Sequence, residues 1–123
     1  MAKTANKGFK RIINASVYSY HGIKSAYLNK EAFRQEVILL CILTPVAFYF
    51  SDTLFQAIIL ISSLLFVLVV ELINSAIEAV VDRISDEQHE LSGRAKDMGS
   101  AAVFVALIIS TGIWFSVLVQ WLN

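Results

Sequence analysis

The sequence predicts an all-α membrane protein made of an N-terminal amphipathic surface helix followed by three transmembrane helices. Three observations carry this. Hydrophobic residues make up 57% of the 123 positions and mean hydropathy is +0.66, a composition unlike that of an ordinary soluble domain. Two runs free of charge, 53–70 and 99–123, approach or exceed the roughly 20 residues a spanning helix needs. All ten basic residues (Lys3, Lys7, Lys10, Arg11, Lys24, Lys30, Arg34, Arg83, Arg94 and Lys96) lie before the first expected span or between the second and third.

The surface helix is expected at about 5–21. Phe9, Ile12, Ile13, Val17 and Tyr20 recur there at helical spacing, with Lys7, Lys10, Arg11 and Asn14 largely elsewhere on the circumference, the pattern of a helix lying in an interface. His21-Gly22 is the expected break. The first membrane helix, about 30–50, has a short apolar run, 37–50, extended backward through Ala32-Phe33 with its charges at the headgroups. Pro45 marks a point where neighbouring helices would repair a lost hydrogen bond. The second helix, about 53–84, outlasts the bilayer and projects beyond it. A turn at 85–92 follows, with Gly93 as a breaker before the third membrane helix at about 94–122. Gly99, Ser100, Ala101 and Ala102 permit close helix contact where that helix enters the membrane.

The positive-inside rule places the N-terminus and the loop from Arg83 to Asp97 in the cytoplasm, and the 51–53 turn and C-terminus outside. No signal peptide is expected, because the first apolar run starts late and lacks a small-residue cleavage pattern. Cys41 has no intrachain partner and reads as a small packing residue in mid-span. Tyr18, Tyr20, Tyr27, Trp114 and Trp121 read as interface anchors. No repeat or linker divides the chain, so 1–123 is expected to be one domain.

At 3.6 residues per turn, Glu71, Asn74, Ser75, Glu78 and Asp82 fall on one side of the second membrane helix. Ionisable groups at such depth usually face a partner, an ion or a substrate; the alternative is a polar stripe that glues helices together. Glu87, His89 and Glu90 in the loop and Lys96 and Asp97 on the third helix extend the charged set. Carboxylates with a lysine suit magnesium and phosphate. No GxxxxGK[ST] or GxGxxG is present, so a P-loop or protein-kinase cradle is absent. The loop charges also read as a solvated turn, and His89 alone is weak evidence for a metal.

The blocks Gly8-Phe9-Lys10-Arg11-Ile12-Ile13, Glu31-Ala32-Phe33-Arg34-Gln35-Glu36, the long run from Glu71 to Arg83, and His89-Glu90-Leu91-Ser92-Gly93-Arg94-Ala95-Lys96-Asp97-Met98-Gly99-Ser100-Ala101-Ala102 resemble the small integral-membrane bacterial diacylglycerol kinases over nearly the whole chain. The resemblance implies a homotrimer in the bacterial cytoplasmic (inner) membrane. It also implies transfer of the γ-phosphoryl group of MgATP to diacylglycerol, giving phosphatidic acid, with Mg2+ as cofactor. It makes Glu71 the catalytic base, with Asn74 and Asp97 in the catalytic set, and Glu78 a metal ligand. It puts Arg11, Tyr18, Glu78, Glu87, Gln88, His89, Lys96 and Asp97 around ATP, and Arg11, Glu36, Glu71 and Ser100 beside the lipid. One departure stands out: the family's second metal-binding glutamate falls where this chain has Lys30, while Glu31 sits one position later. Either Glu31 reaches the metal across a rotation of about 100°, or that ligand role is altered here.

A kinase for another membrane alcohol, such as undecaprenol, shares this scaffold, and a lipid-substrate panel separates the two. A small proton-coupled transporter also uses an intramembrane glutamate, but the charged loop and one-sided stripe favour interfacial chemistry. ATP-dependent lipid phosphorylation separates enzyme from transporter or inert scaffold. Three helices enclose little, so sites between subunits are physically sensible.

Overall fold

The computed structural model describes residues 7–84 and 86–123 and contains four helices: α1 (Phe9–Asn29), α2 (Glu31–Phe50), α3 (Leu54–Ile84) and α4 (Glu90–Leu122). Three of them, α2 to α4, are long and apolar enough to cross a membrane. At 1.5 Å per residue, the 20 residues of α2 cover about 30 Å, the hydrocarbon thickness, and the 31 of α3 about 46 Å. α3 therefore outlasts the bilayer by roughly three turns.

Two boundaries differ from those the sequence predicts. α1 does not break at His21-Gly22 but runs to Asn29, because a single glycine costs a helix only about 1 kcal/mol. Gly8 precedes it with φ +60°, a conformation that favours glycine. The break falls at Lys30 (φ −121°, ψ 109°). There the Lys30 N–H donates to Ala26 O, and the Arg34 guanidinium donates to Tyr27 O (2.8 Å) and Leu28 O (3.2 Å). α2 thus reaches back to satisfy carbonyls that the end of α1 leaves without helical partners. Residues 5 and 6 of the expected surface helix, and Ser85 of the expected turn, lie outside the described residues.

The second difference is that α4 begins at Glu90, not 94, and Gly93 is inside it. His89 is the N-cap: its Nδ1 accepts from the Leu91 N–H at 3.1 Å, which offsets the helix-breaking tendency of the glycine four residues on. The other turn is close to expectation. The Thr53 hydroxyl accepts the Gln56 N–H, and Gln56 Oε1 accepts the Asp52 N–H, a reciprocal cap resembling the capping box at the start of α3.

α3 packs most extensively on α4, then on α2, while α1 touches α2 and α3 lightly. The buried residues of α3 are Ala57, Leu60, Ser63, Val67, Glu71 and Ser75, spaced three or four apart and so forming one seam. On α4 the buried residues are the small Gly99, Ala106 and Ser110, which let the backbones approach. The two helices run antiparallel in steady register. Gln56 meets Gln120, Trp114 donates its indole N–H to Leu60 O (3.2 Å), Ser63 and Ser110 share a 3.0 Å hydroxyl contact, and Asp82 pairs with Lys96.

Trp114 therefore spends its polar edge inside the bundle instead of at the headgroups. Trp121 instead packs on Phe50 and Tyr49 (centroids 4.8 and 6.2 Å) at the opposite end from the charges. Cys41 is exposed on the single chain, not packed within it. α2 is continuous through Pro45.

Candidate functional site

The alternation of helix direction gathers the charged ends of α2, α3 and α4 at one end of the bundle. Lys30 stands just before α2, Glu78 and Asp82 on the last turns of α3, and Lys96 near the start of α4. Within this end the polar residues occupy three levels. Measured along α3 from Leu54, Glu71 is about 26 Å in, still within a bilayer's apolar thickness, and Glu78 about 36 Å in, beyond it.

At the inner level Glu71 is only 5% exposed, a burial that a carboxylate tolerates only with specific surroundings. Glu36 of α2 lies within electrostatic range of it. Glu36 also stands at the border of an apolar cavity of about 460 Å3 between α2, α3 and α4, lined by Leu43, Val67, Leu107 and Trp114 among others. Among the described residues three buried side-chain atoms, Glu36 Oε2, Asn74 Oδ1 and Ser75 Oγ, lack a well-formed hydrogen bond, although the Asn74 and Ser75 side chains lie close enough to interact with the Glu71 carboxylate. Leaving such an atom unpaired costs about 1–3 kcal/mol, and all three lie on or beside the polar stripe.

At the middle level Asn74 Nδ2 donates to Glu78 Oε1 (3.1 Å), and Lys30 Nζ lies 3.5 Å from Glu78 Oε2. Gly99 of α4 faces Asn74 so closely that a Cβ there would collide with Asn74 Oδ1. The glycine is thus what lets α4 close over the asparagine. Lys30 also lines a groove of about 670 Å3 between α1 and α3, together with Ser25, Asn29, Ser75 and Ala79.

At the outer level the exposed Lys96 Nζ holds Asp82 Oδ1 at 2.7 Å. Glu87, Gln88, His89 and Lys96 line one pocket of about 640 Å3 with Asp82, Asp86 and Ser92. Because His89 Nδ1 accepts a hydrogen bond, the neutral ring carries its proton on Nε2, leaving that N–H as a donor. The helix N-terminus below it adds a field favourable to anions.

The structure thus brings together Glu71, Asn74, Glu78 and Glu36 at the inner two levels and Glu87, Gln88, His89 and Lys96 at the outer one. Arg11, Tyr18, Glu31, Asp97 and Ser100 are exposed, and none of them lines the outer pocket. Magnesium fits poorly as a protein-held ion here: one oxygen of Glu78 faces an ammonium and the other an amide donor, whereas the ion wants unencumbered oxygens. Among the described residues no three His, Cys, Asp or Glu side chains are grouped to hold a metal. The role of Arg34 carries no signal in the sequence, because its partners are carbonyls six and seven residues back, a relation with no side-chain signature.

The pattern described as prokaryotic diacylglycerol kinase matches residues 17–118. A protein of Haemophilus influenzae named diacylglycerol kinase is 52% identical over 111 residues, covering 90% of this chain and 94% of its own length. Proteins of the same name from Escherichia coli K12 and Pseudomonas aeruginosa are each 50% identical, over 107 residues (87% of this chain, 88% of theirs) and 111 residues (90% of each).

Proposed function

This chain belongs to the prokaryotic diacylglycerol kinase family, and on that premise we propose that it transfers the γ-phosphoryl group of MgATP to the free hydroxyl of diacylglycerol, releasing ADP and phosphatidic acid. The observation that carries the chemistry is the burial of Glu71 at the depth where the apolar part of α3 ends, between an apolar cavity on one side and a charged pocket on the other. A lipid alcohol has that same division: chains in the hydrocarbon, hydroxyl at the interface.

In this reading Glu71 accepts the hydroxyl proton as the oxygen attacks the γ-phosphorus, and the electron pair of the breaking P–O bond leaves with ADP. Proton removal by a positioned carboxylate contributes about 10²–10⁴-fold. Glu36, at the border of the apolar cavity, orients the glycerol end. Lys96, the His89 Nε2–H and the N-terminus of α4 face the phosphates, where fixed positive charge stabilises the transferring group. Magnesium arrives with the nucleotide as part of the substrate, coordinated by its phosphates. Arg11, Tyr18 and Asp97, outside the pocket in one chain, join it from a neighbouring subunit of a homotrimer. The site faces the cytoplasm of a bacterial inner membrane, on the side where the basic residues collect.

Glu71→Gln keeps size and hydrogen bonding but removes the base. Phosphatidic acid formation by the folded variant in detergent micelles should fall by at least about 100-fold; turnover near that of the parent would remove Glu71 from this role. Phosphorylation of diacylglycerol in preference to undecaprenol across a lipid panel is the expected substrate result.

A further inference from the structure

We propose that Lys30 is a built-in cation of the reaction site, standing where a protein-held divalent ion would otherwise neutralise Glu78, so that the site takes only the metal carried in by the nucleotide. This rests on the phosphoryl-transfer reading above. The Lys30 backbone is fixed at the break between α1 and α2: its N–H donates to Ala26 O and its carbonyl accepts the Arg34 N–H (3.2 Å). From that point the side chain, about one-third exposed, reaches Glu78 Oε2 at 3.5 Å and lies within electrostatic range of Glu71. Among the described residues it is the cation in direct contact with Glu78; Lys96 also feels Glu78 electrostatically, but its ion pair is with Asp82 further out.

An ammonium and a divalent ion cannot share one carboxylate oxygen without strong repulsion. The other oxygen of Glu78 is occupied by Asn74. Glu31 is exposed and, among the described residues, belongs to no cluster of three His, Cys, Asp or Glu side chains that would hold a metal. A lysine is a compact point charge suited to phosphate oxygens, and one held at the mouth of a groove serves a transferring phosphoryl group without needing to be loaded.

The test is a titration of the folded protein in detergent micelles with Mn2+ alone, read by the electron paramagnetic resonance signal of the free ion, with no nucleotide or lipid present. The parent should leave that signal unchanged through the submillimolar range. Lys30→Glu, which sets two carboxylates together, should gain a site and bind at least about tenfold more tightly, and the gain should vanish in Lys30→Glu combined with Glu78→Gln. Lys30→Met, which keeps the aliphatic stem, covers the case in which Lys30→Glu does not fold: freeing Glu78 of the ammonium should still raise Mn2+ affinity. Tight Mn2+ binding by the parent that is lost in Glu78→Gln would overturn the proposal, as would unchanged affinity in the folded Lys30 variants. Diacylglycerol phosphorylation by the parent is measured separately, so a failure of the kinase reading shows in that assay and not in the titration.

Discussion

Asn74 couples the two halves of the site through a single side chain, its amide donating to Glu78 and its carbonyl packed on Gly99. Gly99→Ala forces that carbonyl to shift. The expected result is a loss of about 1–3 kcal/mol, the usual cost of overpacking a close contact, seen as a lower thermal midpoint with a reduced rate. An unchanged midpoint would mean that α4 can back away freely. Lys96 makes the opposite prediction, being exposed and paired only with an exposed partner. Lys96→Met should raise the MgATP concentration needed for half-maximal rate several-fold with little change in thermal midpoint; a change confined to stability would make it a structural lysine. The polar stripe was legible at this scale because helical period alone aligns Glu71, Asn74, Ser75 and Glu78. The partner of Lys30 was not, since 48 positions separate it from Glu78 and only packing brings them together.

The joint between α1 and α2 shows where an element boundary depends on something beyond local propensity. Gly22 carries the strongest breaking tendency in the segment, yet the helix passes it and ends seven residues later, where Arg34 caps the carbonyls. Arg34→Ala should leave those carbonyls short of partners, costing about 1.5–3 kcal/mol for bonds from a charged donor. Amide exchange should quicken over the last turn of α1. Arg34→Lys should restore only part of the protection, because an ammonium lacks the fork that spans two carbonyls. Equal exchange in all three proteins would show that the joint is held by other contacts. α4 carries the same lesson, since its start is set by the His89 side chain four residues ahead of Gly93, whose local tendency is to break a helix.

The whole chain exposes many large apolar side chains, Phe55, Phe104 and Phe115 among them. Lipid or neighbouring copies must cover this surface. Arg11 stands outside the outer pocket of its own chain, so a shared site predicts complementation. Glu71→Gln and Arg11→Ala subunits, each inactive alone, should recover measurable phosphatidic acid formation when unfolded together and reassembled in micelles. Mixed assemblies no more active than the separate variants would place every group of the site within one subunit.

The sequence by itself determined what depends on period, composition and sign of charge: three helices able to span, one seam of polar residues on α3, and a one-sided distribution of lysine and arginine along the chain. These properties follow from the 3.6-residue repeat and from the cost of charge in hydrocarbon, both of which act locally. Only the tertiary structure decided the ion pair of Lys30 with Glu78, the seat of Asn74 on Gly99, the inward turn of Trp114 and the ends of α1 and α4. Each of these rests on hydrogen bonds or contacts whose partners are set by how the elements meet, and where several act together they outweigh the local preferences, about 1 kcal/mol for a glycine, that the sequence displays.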